Sequence, residues 1–291
     1  ARQCAEAGIT FVGPQVETIA LFGDKGQARI LAKKCGVPVL PGTSGSTSLE
    51  EAKDFLVSLG NDAAVMIKAI AGGGGRGMRV VHSVDEIDAA YTRCQSEAKA
   101  AFGSGDVYVE QLVLRARHIE VQVIGDGSGA VSHLGERECS LQRRNQKLVE
   151  IAPSPGLSPQ LRQRLSTAAV RLAEEVQYAS LGTFEFLVDL EHNGDDATFT
   201  FIEANARLQV EHTVTEEVTG VDLVKAQLRI AGGSSLADLG LTQAAIPEPR
   251  GFAMQVRINM ETMASDGTIR LAGGTLSAFE VPSGPGLRTD S

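Results

Sequence analysis

The chain has 291 residues, with 27 Lys and Arg against 36 Asp and Glu, a formal net charge of −9. That balance excludes a general nucleic-acid-binding surface, which needs a basic field to displace counterions. Hydrophobic residues make up 43% and charged residues 22%, the mix of a chain that buries a real core and not of a disordered one. About two compact units are expected at ~150 residues each. The 32 glycines are about 11% of the chain against a typical ~7%, so the excess belongs to particular loops. No Trp and 4% aromatics argue against a platform for stacking bases. Cys4, Cys35, Cys94 and Cys139 are too far apart for CxxC pairs, which points to reduced buried thiols in a cytoplasmic compartment. No run reaches the ~18–20 apolar residues of a membrane span. The opening Ala1-Arg2-Gln3-Cys4 has no Met and no signal-peptide shape, and the abrupt ends suggest part of a longer chain.

In chain order, residues 1–22 read as a βα-type edge, with a buried strand over Gly8–Pro14. Residues 24–36 read as a helix stopped by Gly36 and Pro38, and Leu49–Leu59 as a helix capped by Thr47 or Ser48. Strands at Val65–Ile70 and Met78–Val81 flank Ala71-Gly72-Gly73-Gly74-Gly75-Arg76-Gly77. Ser83-x-x-Glu86 has the spacing of a capping box for a helix running to Phe102, and Val107–Glu110 follows as a strand. Strands at His118–Ile124 and Ala130–Leu134 are joined by Gly125-Asp126-Gly127-Ser128-Gly129, a hairpin turn. The charged run Glu136–Lys147 reads as a loop between strands. A helix from Ser158-Pro159 to Tyr178, strands at Thr183–Leu190 and Thr198–Ala204 joined through His192–Asp196, a helix over Val214–Ala231 and a strand over Phe252–Met260 complete the pattern. Helices mixed with antiparallel hairpins make the fold class α+β.

Three groups of residues carry chemistry. The glycine run lies between two strands and lacks GK[ST], so it is neither a Walker loop nor a Rossmann turn. A hairpin of bare backbone N–H groups carrying Arg76, with Lys68 just upstream, suits closure over phosphates. In Phe184-Glu185-Phe186 and Ile202-Glu203-Ala204-Asn205, the polar side chains sit between apolar neighbours. A carboxylate in such a strand is costly unless it meets a cation, and two carboxylates with an amide oxygen suit a hard divalent ion. Glu203, Asn205, Arg207, Gln209 and Glu211 then occupy every second position. If that segment stays extended, they line one wall, where Arg207 can hold an anion and Glu211 can serve as a base. The Glu136–Lys147 run, set beside these, reads as an anion-binding loop.

Taken in order, Gly23-Asp24-Lys25, Ile67-Lys68-Ala69, the GGGGRGMRVV run at 72–81, Arg117-His118-Ile119-Glu120, Gln142-Arg143-Arg144-x-Gln146-Lys147, GTFEFL at 182–187 and FIEANARLQVEH at 201–212 resemble the biotin carboxylase component of biotin-dependent carboxylases, an ATP-grasp fold. The resemblance covers nearly the whole chain. It implies the end of an N-terminal domain with a partial Rossmann-like edge over 1–22. It further implies ATP-grasp linker helices and the glycine-flap lid over 23–112. The catalytic part over 113–291 would run into a truncated C-terminal domain. The implied reaction has two steps: ATP phosphorylates bicarbonate to carboxyphosphate, and the carboxyl group passes to biotin on a carrier domain. A carbamoyl-phosphate synthetase-like ATP-grasp ligase and an inactive nucleotide-binding remnant are the alternatives. The Arg207-x-Gln209-Val210-Glu211 run and Arg257 favour the biotin branch.

The resemblance implies a role for each matched position. Lys25, Lys68, Gly73, Gly74, Gly75, Arg76, Gly77 and Met78 would contact nucleotide phosphates, Glu110, Leu112 and Val113 the adenine, and His118 and Gln142 would lie near the nucleotide. Glu185, Glu203 and Asn205 would hold Mg2+ or Mn2+, and Arg207, Gln209 and Val210 bicarbonate. Lys147 would face phosphate and bicarbonate, Glu211 would deprotonate bicarbonate, and Arg257 would stabilise the biotin anion. Implied partners are the biotin carrier domain, a carboxyltransferase domain or subunit, and a second copy in a homodimer, with no nucleic acid and no membrane. Two departures from the family pattern stand out. Asn145 replaces the usual His, and Met260–Gly267 resembles the variant seen in some large fused acyl-CoA carboxylases.

Overall fold

Two short helices, α1 (Arg2–Glu6) and α2 (Val16–Gly23), lead into α3 (Lys25–Lys34), in a computed structural model that describes residues 1–60, 63–71, 77–143, 145–189 and 197–290. Asp24 caps α3 by accepting from the Gln27 N–H at 3.0 Å, which fixes Lys25 at the first turn of the helix. The expected strand over Gly8–Pro14 is absent. Ile9, Phe11 and Val12 are exposed, and none of the described strands pairs with the segment, so its apolar residues have no sheet to join.

Helix α4 (Leu49–Ser58) starts at a reciprocal Ser48–Glu51 capping box. It packs with α5 (Val84–Phe102) on an antiparallel sheet of β1 (Val65–Ala69), β2 (Met78–Val81) and β3 (Val107–Gln111), in the order β2-β1-β3. Val65, Ile67, Val107 and Val109 face Ala52, Leu56, Ile87, Tyr91 and Cys94 in its core. The capping box expected at α5 does not form. The Ser83 side chain makes no cap bond; the Glu86 N–H donates to the Ser83 carbonyl at 3.2 Å, and the Glu86 carboxylate accepts from the His82 N–H at 3.0 Å.

The second sheet has six antiparallel strands in the order β8-β7-β4-β5-β6-β9. These are β4 (Ala116–Asp126), β5 (Val131–Arg143), β6 (Gln146–Ala152), β7 (Ala179–Asp189), β8 (Phe199–Asn205) and β9 (Ala253–Val256), with helices α6 (Pro159–Glu175), α7 (His212–Thr219) and α8 (Leu223–Ala231) between them in sequence. Alternation along the strands divides the faces. Ile119, Val121, Val123, Phe184, Phe186 and Phe201 pack with Leu161, Leu165 and Leu172 of α6 and with Phe22 and Leu31. The Phe22 and Phe184 rings meet edge to face at 5.3 Å. Each fully buried Phe here contributes about 1.5–3 kcal/mol. The opposite face of the same strands carries His118, Glu120, Gln122, Thr183 and Glu185, and it is the floor of the site.

Three further expectations change. The charged run over 136–147 is not a loop: it forms the β5–β6 hairpin, pairing Gln142 with Lys147 and Arg143 with Gln146. Glu136, Arg137 and Glu138 are buried there, which is possible because each has an ion-pair partner, Arg162, Glu120 and Arg117 respectively. Asn145 adopts φ 62°, the left-handed region that Asn enters readily. The predicted helix over Val214–Ala231 is two helices, because Gly220 at φ 73° ends α7 and Asp222 caps α8. The His192–Asp196 connection lies outside the described residues.

Residues Ala1–Val256 make one unit and Arg257–Ser291 a second. The second contains the antiparallel hairpin of β10 (Glu261–Met263) and β11 (Ile269–Leu271). Its turn is tied by the Thr268 N–H donating to Asp266 at 2.9 Å. The strand expected over Phe252–Met260 forms only at Ala253–Val256. Among the described residues no helix is long and apolar enough to cross a membrane.

Candidate functional site

Lys147, at the start of β6, places its ammonium against three carboxylates: Glu120 at 2.5 Å, Glu211 at 2.8 Å and Glu185 at 3.0 Å. Its side chain is 13% exposed and the three acids 0–3%, so none relies on water for its charge. Burial alone would neutralise the lysine, but Glu120 and Glu185 override that and hold its pKa far above the ordinary value. Burial likewise opposes ionisation of Glu185, yet Lys147 and His118 keep its carboxyl well below the usual carboxylate range.

Glu185 is the hub. Its Oε2 meets His118 Nε2 at 2.6 Å. Its Oε1 also accepts from Asn205 at 2.8 Å and from Gln209 at 3.2 Å. The other ring nitrogen of His118 meets the Gln142 amide at 2.7 Å. Burial pushes the His118 pKa down, but the Glu185 carboxylate outweighs it and the pKa rises. These contacts bring together residues from β4, β5, β6, β7, β8 and the turn before α7.

The five alternating residues reach the site by a different route from the one expected. The strand ends at Asn205, and the Arg207 N–H bonds back to the Asn205 carbonyl at 2.8 Å. A turn, not a continued wall, therefore swings Gln209 onto Glu185 and Glu211 onto Lys147. Arg207 is exposed, with its guanidinium 3.3 Å from Asn205 Oδ1. Val210 is 62% exposed. Gln209 is buried and its Oε1 has no hydrogen-bond partner.

A second cluster lies on the small sheet. Lys68 on β1 is ion-paired with Glu110 on β3. Glu110 also meets Arg29 of α3 at 3.3 Å and the Tyr108 hydroxyl at 3.2 Å. Leu112 and Val113 follow, half-buried, with the Leu112 N–H donating to the Ala64 carbonyl at 2.8 Å. Gly77 closes the glycine run at φ 66°, where a Cβ would lie 3.1 Å from the Ala69 Cβ. Its carbonyl accepts from the buried Cys94 thiol at 2.8 Å, and Met78 follows, half-buried. Gly73, Gly74, Gly75 and Arg76 lie outside the described residues, as does Arg144. Lys25 of α3 is ion-paired with Glu203 at 3.4 Å. Arg257 falls in the second unit.

Glu203 and Glu185 are direct partners across β8 and β7, and Asn205 touches both, at 2.8 Å and 3.5 Å. Among the described residues no group of three or more His, Cys, Asp or Glu is arranged for a metal. The two carboxylates are hard oxygen donors that fit a divalent ion arriving with nucleotide phosphates, while the Asn205 amide turns its nitrogen to both of them and its oxygen to Arg207. Glu203, with a 29% exposed side chain, is the more open of the two acids.

Glu120 and Arg137 lie in motifs singled out from the sequence but with no role assigned to them, and Arg29 and Tyr108 lie outside those motifs. Arg137 is fully buried and donates to Glu120 at 2.5 Å, Gln122 at 2.8 Å, Thr215 at 3.0 Å and Thr183 at 3.3 Å. The available signal was the alternation His118-x-Glu120-x-Gln122 in a strand otherwise rich in Ile and Val.

An antiparallel sheet floored with carboxylates, together with a small sheet whose hairpin carries the glycine run, defines an ATP-grasp protein. The chain belongs to the family described as carbamoyl-phosphate synthase L chain, ATP binding domain, which matches residues 24–239. It is 49% identical over 292 residues to human mitochondrial pyruvate carboxylase, covering 100% of this chain and 24% of that one. It is 47% identical over 294 residues to pyruvate carboxylase of Staphylococcus aureus, covering 100% and 25%. The chain thus spans about a quarter of the length of these relatives. It resembles the biotin carboxylase domain dimer of Hydrogenobacter thermophilus 2-oxoglutarate carboxylase, in complex with MgADP, ADP and bicarbonate. That match has a TM-score of 0.83 and 46% identity over 90% of this chain and 55% of that one. The Campylobacter jejuni biotin carboxylase–beta-gamma-ATP complex matches with a TM-score of 0.84 and 43% identity over 91% and 57%. These likenesses agree with the ATP-grasp fold and the biotin carboxylase resemblance read from the sequence.

Proposed function

We propose that this chain carries the ATP- and bicarbonate-dependent half-reaction of a biotin-dependent carboxylase of the pyruvate carboxylase type. The observation that carries the reading is Lys147 held between Glu211 and Glu185 at 2.8 and 3.0 Å. One cation there joins the candidate base to the candidate metal carboxylate.

Lys25 and Lys68 receive the nucleotide phosphates, with Gly73, Gly74, Gly75, Arg76, Gly77 and Met78 as further nucleotide-binding positions. Glu110, Leu112 and Val113 border the adenine, and His118 with Gln142 flanks the nucleotide. Glu185 and Glu203, with Asn205, hold Mg2+ or Mn2+, which neutralises phosphate charge when bound. The exposed guanidinium of Arg207 holds bicarbonate through its planar fork, beside Gln209 and Val210. The partnerless buried Oε1 of Gln209 supports a ligand-facing role, since such an acceptor is costly unless occupied. Glu211 removes the bicarbonate proton, and the resulting oxyanion attacks the γ-phosphorus as its bond to the bridging oxygen of ADP breaks, giving carboxyphosphate and ADP. Lys147 offsets the negative charge gathered around that step. Arg257 stabilises the biotin anion that accepts the carboxyl group.

On this reading residues 1–22 are the end of an N-terminal domain, 23–112 supply linker helices and lid, and 113–291 supply the catalytic sheet and lead into a C-terminal domain. Bicarbonate, a biotin carrier domain, a carboxyltransferase and a second copy of the chain are its partners, in a reducing, cytoplasm-like compartment suited to four free thiols. The test is Mg·ATP turnover with and without bicarbonate and free biotin. Bicarbonate-dependent ADP release that rises with biotin supports the reading. Nucleotide binding without such turnover supports an inactive nucleotide-binding chain, and ammonia-dependent turnover a carbamoyl-phosphate synthetase-like ligase.

A further inference from the structure

The two clusters share a wiring pattern. Glu120 is bridged by two cations, Arg137 on Oε1 and Lys147 on Oε2, each at 2.5 Å. Glu110 is bridged in the same way, by Arg29 on Oε2 at 3.3 Å and by Lys68 on Oε1. Both arginines are deep: Arg137 is 0% and Arg29 5% exposed. Neither lies on the site surface, and both are locked by neutral groups. Arg137 is held by Gln122, Thr183 and Thr215. Arg29 donates to the Leu40 carbonyl at 2.7 Å and lies 5.9 Å from the centre of the Tyr108 ring. A Cβ on Gly42 would come within 2.8 Å of the Arg29 guanidinium, so glycine there leaves the arginine room.

A lysine on four flexible carbons has many rotamers; Lys68 is paired with Glu110, and of the three carboxylates against Lys147, Glu120 is the nearest at 2.5 Å. A carboxylate pinned on its far oxygen by a rigid guanidinium fork fixes both the direction and the reach of the lysine it holds. We propose that Arg137 and Arg29 are positioning residues, each setting the place of one site lysine, Lys147 and Lys68 respectively, through the shared carboxylate. The roles of those lysines toward phosphate and bicarbonate rest on the function proposed above; their placement by the arginines does not.

The direct readout is therefore the lysine itself. Exchange of the Lys147 and Lys68 ammonium protons with water, followed by heteronuclear NMR on the 291-residue chain, reports how firmly each is held. Arg137→Met should raise exchange at Lys147 about tenfold, the scale of one lost charge-assisted hydrogen bond, and leave Lys68 unchanged. Arg29→Met should do the reverse. Unchanged exchange at the linked lysine, or both lysines loosening together in either variant, overturns the proposal, because general destabilisation would not distinguish them.

Removing one partner of a buried pair can prevent folding. The comparison of Glu120→Gln with Glu120→Gln/Arg137→Met covers that case. The two should show the same Lys147 exchange, since Arg137 acts only through the carboxylate, and a further tenfold rise in the double variant contradicts it. In turnover, Arg29→Met should raise KM for ATP while sparing kcat, and Arg137→Met should lower bicarbonate-dependent kcat while sparing KM. A wild-type chain with no such turnover removes the proposed function, while the exchange measurement still decides the positioning.

Discussion

Replacing Lys147 by Met tests the electrostatic core of the site. The ammonium contacts Glu120, Glu185 and Glu211 within 3.0 Å. Its loss does not cost the sum of three ion pairs, because Glu120 keeps Arg137 and Glu185 keeps His118, Asn205 and Gln209, and the lysine's own desolvation penalty is relieved. The net cost at neutral pH should be about 3–5 kcal/mol, the range for removing one partner of a buried pair. The cost must also depend on pH. In the wild type the Glu185 carboxyl is held well below its ordinary 4.5 despite burial, chiefly by Lys147. That contribution is present above the unfolded value and is lost only as pH falls through the folded one. Without the ammonium the crowded carboxylates take up protons more readily, so the folded variant gains stability as pH falls. Urea unfolding at about pH 8 and about pH 5.5 should show the destabilisation shrinking at the lower pH. A pH-independent difference, or one under about 1 kcal/mol at pH 8, would refute the charged cluster.

Glu211→Gln should cut bicarbonate-dependent turnover by about 10²–10⁴, the usual worth of a general base, with ATP affinity retained. Parallel loss of both by titration calorimetry would move the base elsewhere. Glu203→Gln should raise the Mg2+ concentration needed for half-maximal turnover several-fold, and an unchanged Mg2+ titration would remove its metal role. For Arg257→Ala, biotin carboxylation should fall by about 10²–10³ while biotin-independent ATP hydrolysis changes little, as expected when one anion-stabilising donor is lost. Equal loss of both rates would place Arg257 in another step.

The site was largely legible because its residues violate local expectation. Glu185 between two phenylalanines and a glycine run between two strands have no comfortable bland explanation in a folded chain. The small sheet was legible for the same reason, since Val65–Ala69 and Met78–Val81 flank the glycines. What the sequence hid is pairing at a distance. Arg137 meets Glu120 17 positions away and Thr215 78 away, and nothing in a linear pattern links them. Charge also misled: Glu136–Lys147 reads as an anion-binding loop between strands, yet it lies within a hairpin with Glu136, Arg137 and Glu138 ion-paired inside the protein. The opposite error arose at Gly8–Pro14, where apolar residues suggested a strand and Ile9, Phe11 and Val12 remain exposed. Hydrophobicity favours burial only where a partner surface is at hand. Alternation singled out Gln209 and Glu211, which the structure brings against Glu185 and Lys147, but a turn after Asn205 delivers them.

The proposed function is tested most directly by ADP release from Mg·ATP on the folded chain, with bicarbonate and free biotin varied independently. The account predicts release that requires bicarbonate and increases with biotin. Release indifferent to bicarbonate, or none from a chain that binds ATP, would contradict it.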